Sequence, residues 1–250
     1  MRLPAWPFPW VSAHRGAGRT APENTLVAFA VGQAGGARMV ECDLRMDTNG
    51  QGYLLHDPTL DRTTFNQGTV RTRSADAVVG LPAWRGYAAT FSHASIPGLA
   101  EVLRWSATHD IFLNLELKPF RGRERADGLH LGRALKEEWP ALGMPLLVSS
   151  FSPRSLAAVA EVCPYTPRAL LRAQWQARDF ALARSLGCQA VFLREDLWNR
   201  NRIAAAHASG LRTGAYTVNS LARAARLRTM GLDHCISDLP ALWRSPPGLP

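Results

Sequence analysis

The sequence is poor in several features that define other protein classes. Its four cysteines lie far apart and show no C-x-x-C spacing, which argues against a zinc knuckle or a disulfide framework and favours a reducing compartment. No stretch approaches the roughly 18–20 apolar residues of a membrane helix. Prolines near the start interrupt the apolar segment that a signal peptide requires. We therefore expect a cytoplasmic protein with no stable membrane insertion.

Lysine is almost absent, because Lys118 and Lys136 are the only two, and arginine supplies the rest of the 29 basic residues. The formal net charge is +9, yet the arginines are spread over the whole chain and no basic patch is interleaved with aromatic residues. The scatter predicts no nucleic-acid partner. A non-catalytic anion binder or nucleic-acid binder stays open as an alternative on net charge alone.

Short β-branched or aromatic runs alternate along the chain with helical stretches rich in Ala, Leu and Arg, which is typical of repeated βα units. Eight such units in 250 residues match the size and rhythm of a TIM (β/α)8 barrel, which we predict as a single domain over residues 1–250. The predicted strands are 10–15, 39–46, 111–118, 146–151, 168–171, 190–194, 213–218 and 234–238. The predicted helices are 25–34, 99–109, 128–139, 155–162, 177–186, 201–208, 221–230 and a short one at 241–244.

One segment interrupts the alternation after the second strand. Asp47-Thr48-Asn49-Gly50 is a strong turn signal, residues 53–56 resemble a returning strand, and residues 57–97 are rich in turns without a helical period. We interpret residues 57–97 as a small insertion into the barrel. An open, doubly wound sheet is the main alternative fold, but the segment after the first strand lacks the G-x-G-x-x-G spacing.

Three carboxylates mark the ends of two predicted strands. Residues i and i+2 of a strand share a face, which pairs Glu41 with Asp43 and Glu116 with Lys118. Side chains at the carboxyl ends of barrel strands converge on one rim. Buried like charges are costly unless a cation lies among them, and oxygen ligands suit Mg²⁺, Ca²⁺ or Mn²⁺ better than Zn²⁺. We therefore predict one divalent cation there, with a network of ion pairs to arginines as the alternative.

Two histidines and two further cationic groups fall at the same predicted rim. His14 ends the first strand and His56 precedes Asp57-Pro58, so an imidazole on each side of the metal site could accept and donate a proton near neutral pH. Arg15 and Lys118 add positive charge, and one excess positive charge then remains for a singly charged phosphodiester to neutralise. A Schiff-base lyase that uses Lys118 is a further alternative, although the neighbouring carboxylates favour a protonated amine.

Together these residues resemble the motifs of the glycerophosphodiester phosphodiesterase family, in particular its short cytoplasmic bacterial branch. The matching stretches follow one another in the family's order along nearly the whole chain. They are His14-Arg15-Gly16, Ala21-Pro22-Glu23-Asn24-Thr25, Glu41-Cys42-Asp43, His56-Asp57 with Leu60-Asp61-Arg62-Thr63-Thr64, Glu116-Leu117-Lys118-Pro119, Tyr216-Thr217-Val218-Asn219, and Gly231-Leu232-Asp233 through Ile236-Ser237-Asp238.

The resemblance implies a TIM barrel that hydrolyses glycerophosphodiesters to sn-glycerol 3-phosphate and an alcohol. The nucleophile stays open between water and the neighbouring glycerol hydroxyl, and lysophospholipase D-type activity at the same site is the alternative reaction. Carried over position by position, the resemblance implies metal ligation by Glu41, Asp43 and Glu116, acid–base roles for His14 and His56, and substrate contacts by Arg15, Lys118 and Tyr216.

Overall fold

Eight parallel strands close into a barrel in the computed structural model, which describes residues 3–139, 143 and 146–244. These strands follow one another around the barrel in chain order, and the first pairs with both the second and the last. The predicted TIM barrel is confirmed. The strands are β1 (Val11–Ala13), β2 (Met39–Met46), β4 (Phe112–Leu117), β5 (Leu146–Ser150), β6 (Arg168–Arg172), β7 (Ala190–Arg194), β8 (Arg212–Tyr216) and β9 (His234–Ser237).

Helices between the strands form the outer layer of the barrel. They are α1 (Leu26–Ala34), α2 (Leu99–His109), α3 (Glu124–Glu138), α4 (Pro153–Val162), α5 (Asp179–Ser185), α6 (Arg200–Ala208), α7 (Leu221–Thr229) and α8 (Pro240–Trp243). Side-chain caps start several of them, since Thr25, Ser152 and Ser220 each accept a backbone N–H from the first turn.

Helix α3 begins four residues before its predicted start at Gly128. Asp127 lies in its first turn, accepts the backbone N–H of Phe120 at 3.2 Å and pairs with Arg123 at 2.8 Å. Gly128 lies inside α3 at the point where this helix packs closely against α4. A side chain does not fit there, because a Cβ at this position would come within 2.5 Å of the Ser155 carbonyl oxygen. A close helix contact, not a helix boundary, explains this glycine.

The register of β2 against β4 determines how the acidic residues are arranged. Glu41 pairs with Asn114, and two residues further along Asp43 pairs with Glu116. Because side chains alternate between the two faces of a strand, these four residues face the barrel interior. Glu116 lies next to the carboxyl end of β4, Asp43 is level with it on β2, and Glu41 lies one layer deeper in the barrel. The carboxyl end of the strands is where barrel enzymes gather their catalytic groups.

The amino-terminal aromatic residues close the other end of the barrel. Phe8 is buried in the cluster that fills the interior, beside Met39 and Leu147, and Trp6 packs against it at 4.9 Å between ring centroids. Trp10 instead packs on the outer face of the barrel, where the guanidinium of Arg228 lies over its ring. The apolar start of the chain therefore extends the core.

The segment after β2 first returns as β3 (Gly52–Leu54), which pairs with β2 in the antiparallel direction. The following residues contain two short 3₁₀ turns, Ala75–Ala77 and Ala89–Phe91, and surround a small apolar cluster that includes Leu60 and Val78. These loops carry His56 and Arg62 to the rim of the barrel where the acidic residues lie.

Among the described residues, no helix combines the length and the apolar character needed to cross a bilayer.

Candidate active site

Three carboxylates from two adjacent strands meet inside the barrel. Glu41 and Asp43 extend from β2 and Glu116 from β4, all three residues are buried, and one oxygen of each lies within 4.8 Å of the others. Such closeness is costly for three negative charges in a buried site. Compensating positive charge is therefore required at this point.

Two cationic side chains supply part of that charge. Lys118 Nζ lies 2.5 Å from Glu116 Oε1 and 3.2 Å from Asp43 Oδ1. Arg15 Nε lies 3.3 Å from Asp43 Oδ2, and the Arg15 backbone N–H donates to Glu41 Oε2 at 3.1 Å. Arg15 has a positive φ of 52°, so this contact is made from the sparsely populated left-handed region.

The positive charges of Lys118 and Arg15 compensate the three carboxylates unequally. Burial and the neighbouring Asp43 raise the pKa of Glu41 to about 8. Burial also raises the pKa of Glu116 to about 6, despite its ion pair with Lys118. Burial opposes ionisation of Asp43 as well, but Lys118 and Arg15 outweigh it and lower the pKa of that carboxyl to about 2. Glu41 is therefore the carboxylate whose charge the protein compensates least.

A divalent cation fits this arrangement. Glu41 Oε1 is buried and forms no hydrogen bond within the described residues, which is an expensive condition for a carboxylate oxygen unless a ligand binds it. The three side chains offer oxygen ligands alone, the preference of Mg²⁺, Ca²⁺ and Mn²⁺. Glu41, Asp43 and Glu116 could therefore hold such an ion.

His14 lies at the carboxyl end of β1, beside the carboxylates. Its Nδ1 is 2.7 Å from Asp238 Oδ1, and its Nε2 is 3.9 Å from Glu41 Oε2. Burial lowers the pKa of His14, but the hydrogen bond to Asp238 and the charge of Glu41 outweigh it and raise that pKa above its usual value. His14 therefore turns Nε2 towards the carboxylate cluster and holds a proton readily.

His56 approaches the cluster from the loop after β3. Its Nδ1 is 2.8 Å from Asp57 Oδ1, and its charge contributes to lowering the pKa of Asp43. Burial lowers the pKa of His56, with Arg15 adding to the effect and Asp43 and Asp57 opposing it. The two histidines thus have opposite pKa shifts, because Asp238 and Glu41 outweigh burial at His14, whereas burial, with Arg15 and Lys118, outweighs the carboxylates at His56.

A chain of ion pairs connects the two histidine-bearing loops. Arg62 donates to Asp57 Oδ2 at 2.6 Å and binds both oxygens of Glu23 at 2.6 and 2.8 Å. Glu23 also accepts from Arg15 at 2.8 Å. Asp57, which contacts His56, is thereby joined through Arg62 and Glu23 to the Arg15 side chain.

Tyr216 and Phe151 form an aromatic wall beside the cluster. The Tyr216 ring lies edge-on to Phe151 at 5.6 Å between centroids, and Lys118 Nζ is 5.7 Å from the Phe151 centroid. The Tyr216 hydroxyl is buried and forms no hydrogen bond among the described residues, so its hydrogen-bonding capacity is unsatisfied.

The surroundings of Lys118 oppose the lyase alternative. Burial favours the neutral amine, but Asp43 and Glu116 outweigh it and raise the pKa of Lys118 above its usual value. A Schiff-base lysine requires a depressed pKa so that the amine is free to attack.

The structure brings all eight predicted site residues to one rim of the barrel and adds partners that sequence reasoning gave no role. Asn24 is one of them: its side-chain amide donates to Asp43 Oδ2 and its oxygen accepts the Asp43 backbone N–H, each at 2.9 Å. The others are Glu23, Asp57, Arg62, Asn219 and Asp238. All of them lie within or beside the sequence motifs quoted above. Those motifs are the feature of the sequence that could have identified these residues.

Comparison with known proteins matches this arrangement to one family. The Glycerophosphoryl diester phosphodiesterase family profile matches residues 14–242. YhdW of Bacillus subtilis strain 168, provisionally named a glycerophosphodiester phosphodiesterase, is 31% identical over 92% of this chain and 95% of its own length. A glycerophosphodiester phosphodiesterase of Bacillus altitudinis is 26% identical over 92% of this chain and 94% of its own length.

Solved structures of phosphodiesterases share the fold of this chain. A phosphodiesterase of Oleispira antarctica, determined in complex with the product sn-glycerol-3-phosphate, superposes with a TM-score of 0.87 at 29% identity, over 94% of this chain and 95% of that one. A glycerophosphodiester phosphodiesterase of Agrobacterium tumefaciens shares the fold, with a TM-score of 0.76 at 24% identity over 95% and 99% of the two chains. The chain therefore belongs to the glycerophosphoryl diester phosphodiesterase family and is an enzyme of that family, as its sequence motifs predicted.

Proposed function

We propose that this enzyme hydrolyses glycerophosphodiesters to sn-glycerol 3-phosphate and an alcohol, with one divalent cation held by Glu41, Asp43 and Glu116. Mg²⁺ and Ca²⁺ are the favoured ions and Mn²⁺ is compatible with the same ligands. The observation that carries the proposal is the buried carboxylate cluster, in which one oxygen of Glu41 has no hydrogen-bond partner among the described residues. The product bound to the Oleispira relative supports the substrate class.

When bound, the cation would polarise the phosphate and neutralise charge that develops on its oxygens. Lys118 and Arg15 line the same space and would orient the anionic phosphodiester. Tyr216, whose hydroxyl has no hydrogen-bond partner among the described residues, would contact the glycerol part of the substrate.

Two histidines move the protons in this proposal. A P–O bond forms from the attacking oxygen and the P–O bond to the alcohol breaks, so one proton must leave the attacking oxygen and one must reach the departing alcohol. His14 and His56 are suited to these two tasks because a carboxylate contacts Nδ1 of each, and Nε2 of each has no hydrogen-bond partner among the described residues.

The attacking oxygen belongs either to water or to the adjacent glycerol hydroxyl. In the second case a cyclic phosphate forms first and water then opens it. A deoxy analogue that lacks this hydroxyl separates the two routes, because hydrolysis of the analogue at the full rate would exclude the cyclic one.

The direct test measures release of sn-glycerol 3-phosphate from a panel of glycerophosphodiesters, and release of choline from lysophosphatidylcholine tests the lysophospholipase D-type alternative. We expect release to stop with a chelator and to return when Mg²⁺ or Ca²⁺ is added back. Release that continues undiminished after thorough chelation would remove the metal from the proposal.

Single variants test the acid–base roles. His14→Gln and His56→Gln should each lower kcat by about two to four orders of magnitude while the cation still binds. His109→Gln is the matched control, because His109 is exposed at the carboxyl end of α2, which leads into the amino end of β4 and so lies at the end of the barrel opposite the site. Full activity of both site variants would contradict the assignment.

We also propose that the chain is cytoplasmic and folds as one domain. All four cysteines are free and buried, which supports a reducing compartment. Fractionation of host cells tests the location, and a single cooperative unfolding transition tests the domain assignment.

A further inference from the structure

A cavity of about 750 Å³ opens from the carboxylate cluster over the ends of β4 and β5. It is continuous with the site because Glu116 and Lys118 line both. Its volume lies within the range of about 300–1,000 Å³ that small organic ligands occupy, so it can receive a substrate group beyond the phosphate.

The lining of this cavity is rich in positive charge. Arg45, Lys118, Arg121 and Arg154 contribute cations, whereas Glu116 and Glu124 are its acidic members. Lys118 Nζ and Glu116 Oε1 form an ion pair at 2.5 Å, so their charges offset each other. The other charged groups of the lining are three arginines and the single carboxylate of Glu124.

The three arginines differ in how far they are already engaged. Arg45 is buried and donates to the carbonyl oxygens of Lys118 and His56, which fixes it in the wall. The side chains of Arg121 and Arg154 are exposed and form no ion pair within 4.0 Å in the part of the chain that the structure describes. Two guanidinium groups are therefore available at the outer part of the cavity.

Two helix ends reinforce the same preference. Helix α3 begins at Glu124 and α4 begins at Pro153, both of which line the cavity. The amino-terminal end of a helix carries partial positive charge and favours an anion nearby. At the start of α3 the chain's own Glu124 carboxylate already uses this preference, because the backbone N–H groups of Glu124 and Gly122 lower its pKa and Arg154 and Arg121 add to that effect.

From these features we infer that the cavity receives the alcohol part of the glycerophosphodiester and selects alcohols that carry a further negative charge, a phosphate or a carboxylate. This inference rests on the proposed function for the position of the phosphodiester. Arg121 and Arg154 are its specificity-determining residues, and they disfavour a cationic alcohol such as choline.

The test compares binding of four phosphonate analogues in which a methylene group replaces the ester oxygen to the alcohol. Their alcohol parts are glycerol, glycerol phosphate, glycerate and choline, and calorimetry gives the Kd of each in the presence of Ca²⁺. We expect the two anionic analogues to bind about tenfold more tightly than the glycerol analogue, and the choline analogue to bind least tightly. The preference should shrink when NaCl is raised from about 50 to about 300 mM.

The charge-reversed variant R121E/R154E should invert the order, so that the choline analogue binds more tightly than the anionic ones. The matched control R104E/R226E changes the net charge equally, at exposed arginines of helices α2 and α7, and should keep the wild-type order. Equal Kd values for all four analogues in the wild type, or an unchanged order in R121E/R154E, would overturn the inference.

Binding of uncleaved analogues keeps this test separate from the proposed function. Release of sn-glycerol 3-phosphate from the corresponding esters tests hydrolysis, whereas the order of the Kd values tests charge selection alone. A protein that cleaves all esters but binds the analogues without charge preference retains the proposed function and loses the inference.

Discussion

His14 Nδ1 lies 2.7 Å from Asp238 Oδ1, and this contact joins the loop after β1 to the end of β9. Burial opposes ionisation of Asp238, but the hydrogen bond to His14 outweighs it and lowers the pKa of that carboxyl. An ionised carboxylate only accepts hydrogen bonds, so Nδ1 must carry the hydrogen. Asp238 thereby sets the tautomer of His14 and leaves Nε2 to face the carboxylate cluster.

Asp238→Asn should lower kcat because the amide no longer stabilises a positive charge on His14. We expect a loss of about 10- to 100-fold in kcat with little change in KM, since Asp238 positions His14 without touching the substrate. Steady-state kinetics with glycerophosphoglycerol measures the loss, and calorimetry with Ca²⁺ checks that metal affinity is kept. A kcat within twofold of the wild-type value would contradict this role.

Arg62→Gln should disturb His56 in a similar way, through Asp57. Arg62 binds Asp57 and both oxygens of Glu23, which requires the planar fork of a guanidinium. We expect about a tenfold loss of kcat, and Arg62→Lys should restore only part of it because an ammonium cannot reproduce the bidentate contact.

Arg85→Gln provides the control for Arg62. Arg85 belongs to the same inserted segment and donates to the carbonyl oxygen of Asp61, so it contributes to loop structure without contacting Asp57. If Arg85→Gln lowers kcat as strongly as Arg62→Gln, general loop order rather than the positioning of His56 is responsible.

How much of this site the sequence predicts depends on how far apart along the chain the interacting residues lie. Period-two spacing within β2 places Glu41 and Asp43 on one face, and the same local rule pairs Glu116 with Lys118. Convergence of these pairs then follows from the barrel fold itself. Short-range rules were therefore sufficient for the carboxylate cluster.

The positioning contacts could not be derived in this way. Asp238 contacts His14 across 224 residues of sequence, and Arg62 contacts Glu23 across 39. Such contacts exist only after β9 closes against β1 and the inserted segment folds back on the rim, and no local period encodes which acid meets which base. The predicted start of α3 at Gly128 is wrong for a related reason, because this glycine reflects contact with α4 rather than a property of its own helix.

Glu41→Gln should abolish stabilisation by the cation. A ligand that binds only the folded state raises the unfolding midpoint by mass action, so Ca²⁺ or Mg²⁺ should raise the Tm of the wild type. In Glu41→Gln we expect this shift to be lost, while the Tm in chelator stays at or above the wild-type value because one of three crowded carboxylates is gone. Thermal unfolding with chelator and with each cation measures both effects. An equal cation-induced shift in the two proteins would exclude Glu41 as a ligand.

Asp233→Asn should destabilise the protein at neutral pH. Asp233 is paired with Arg212 at 2.8 Å and with His207 at 2.7 Å, and it accepts two hydrogen bonds from Thr213. Loss of the charge leaves these donors poorly matched, which costs about 2–4 kcal/mol of unfolding free energy.

The same variant should show a characteristic pH dependence. Burial opposes ionisation, but His207 and Arg212 outweigh it and lower the pKa of Asp233. A lowered folded-state pKa means that the stabilisation is complete above the unfolded value of about 3.9 and is lost as pH falls through the folded value. Urea unfolding of both proteins at several pH values should show a difference that is constant near neutrality and shrinks in acid. A difference that grows as pH falls would contradict this assignment.

Phe8→Ala should weaken the barrel from the end opposite the active site. Phe8 is 6% exposed and packs in the interior cluster with Met39, Leu147 and Phe192, so its removal leaves a cavity that the closed barrel cannot easily fill. We expect a loss of about 3–5 kcal/mol in unfolding free energy, with kcat of the folded enzyme unchanged. Phe65→Ala removes the same ring from a site that is 56% exposed and should cost about 1 kcal/mol or less. Urea unfolding of the two variants compares them directly. An equal, small effect of both would mean that the amino-terminal segment does not contribute to the core of the barrel.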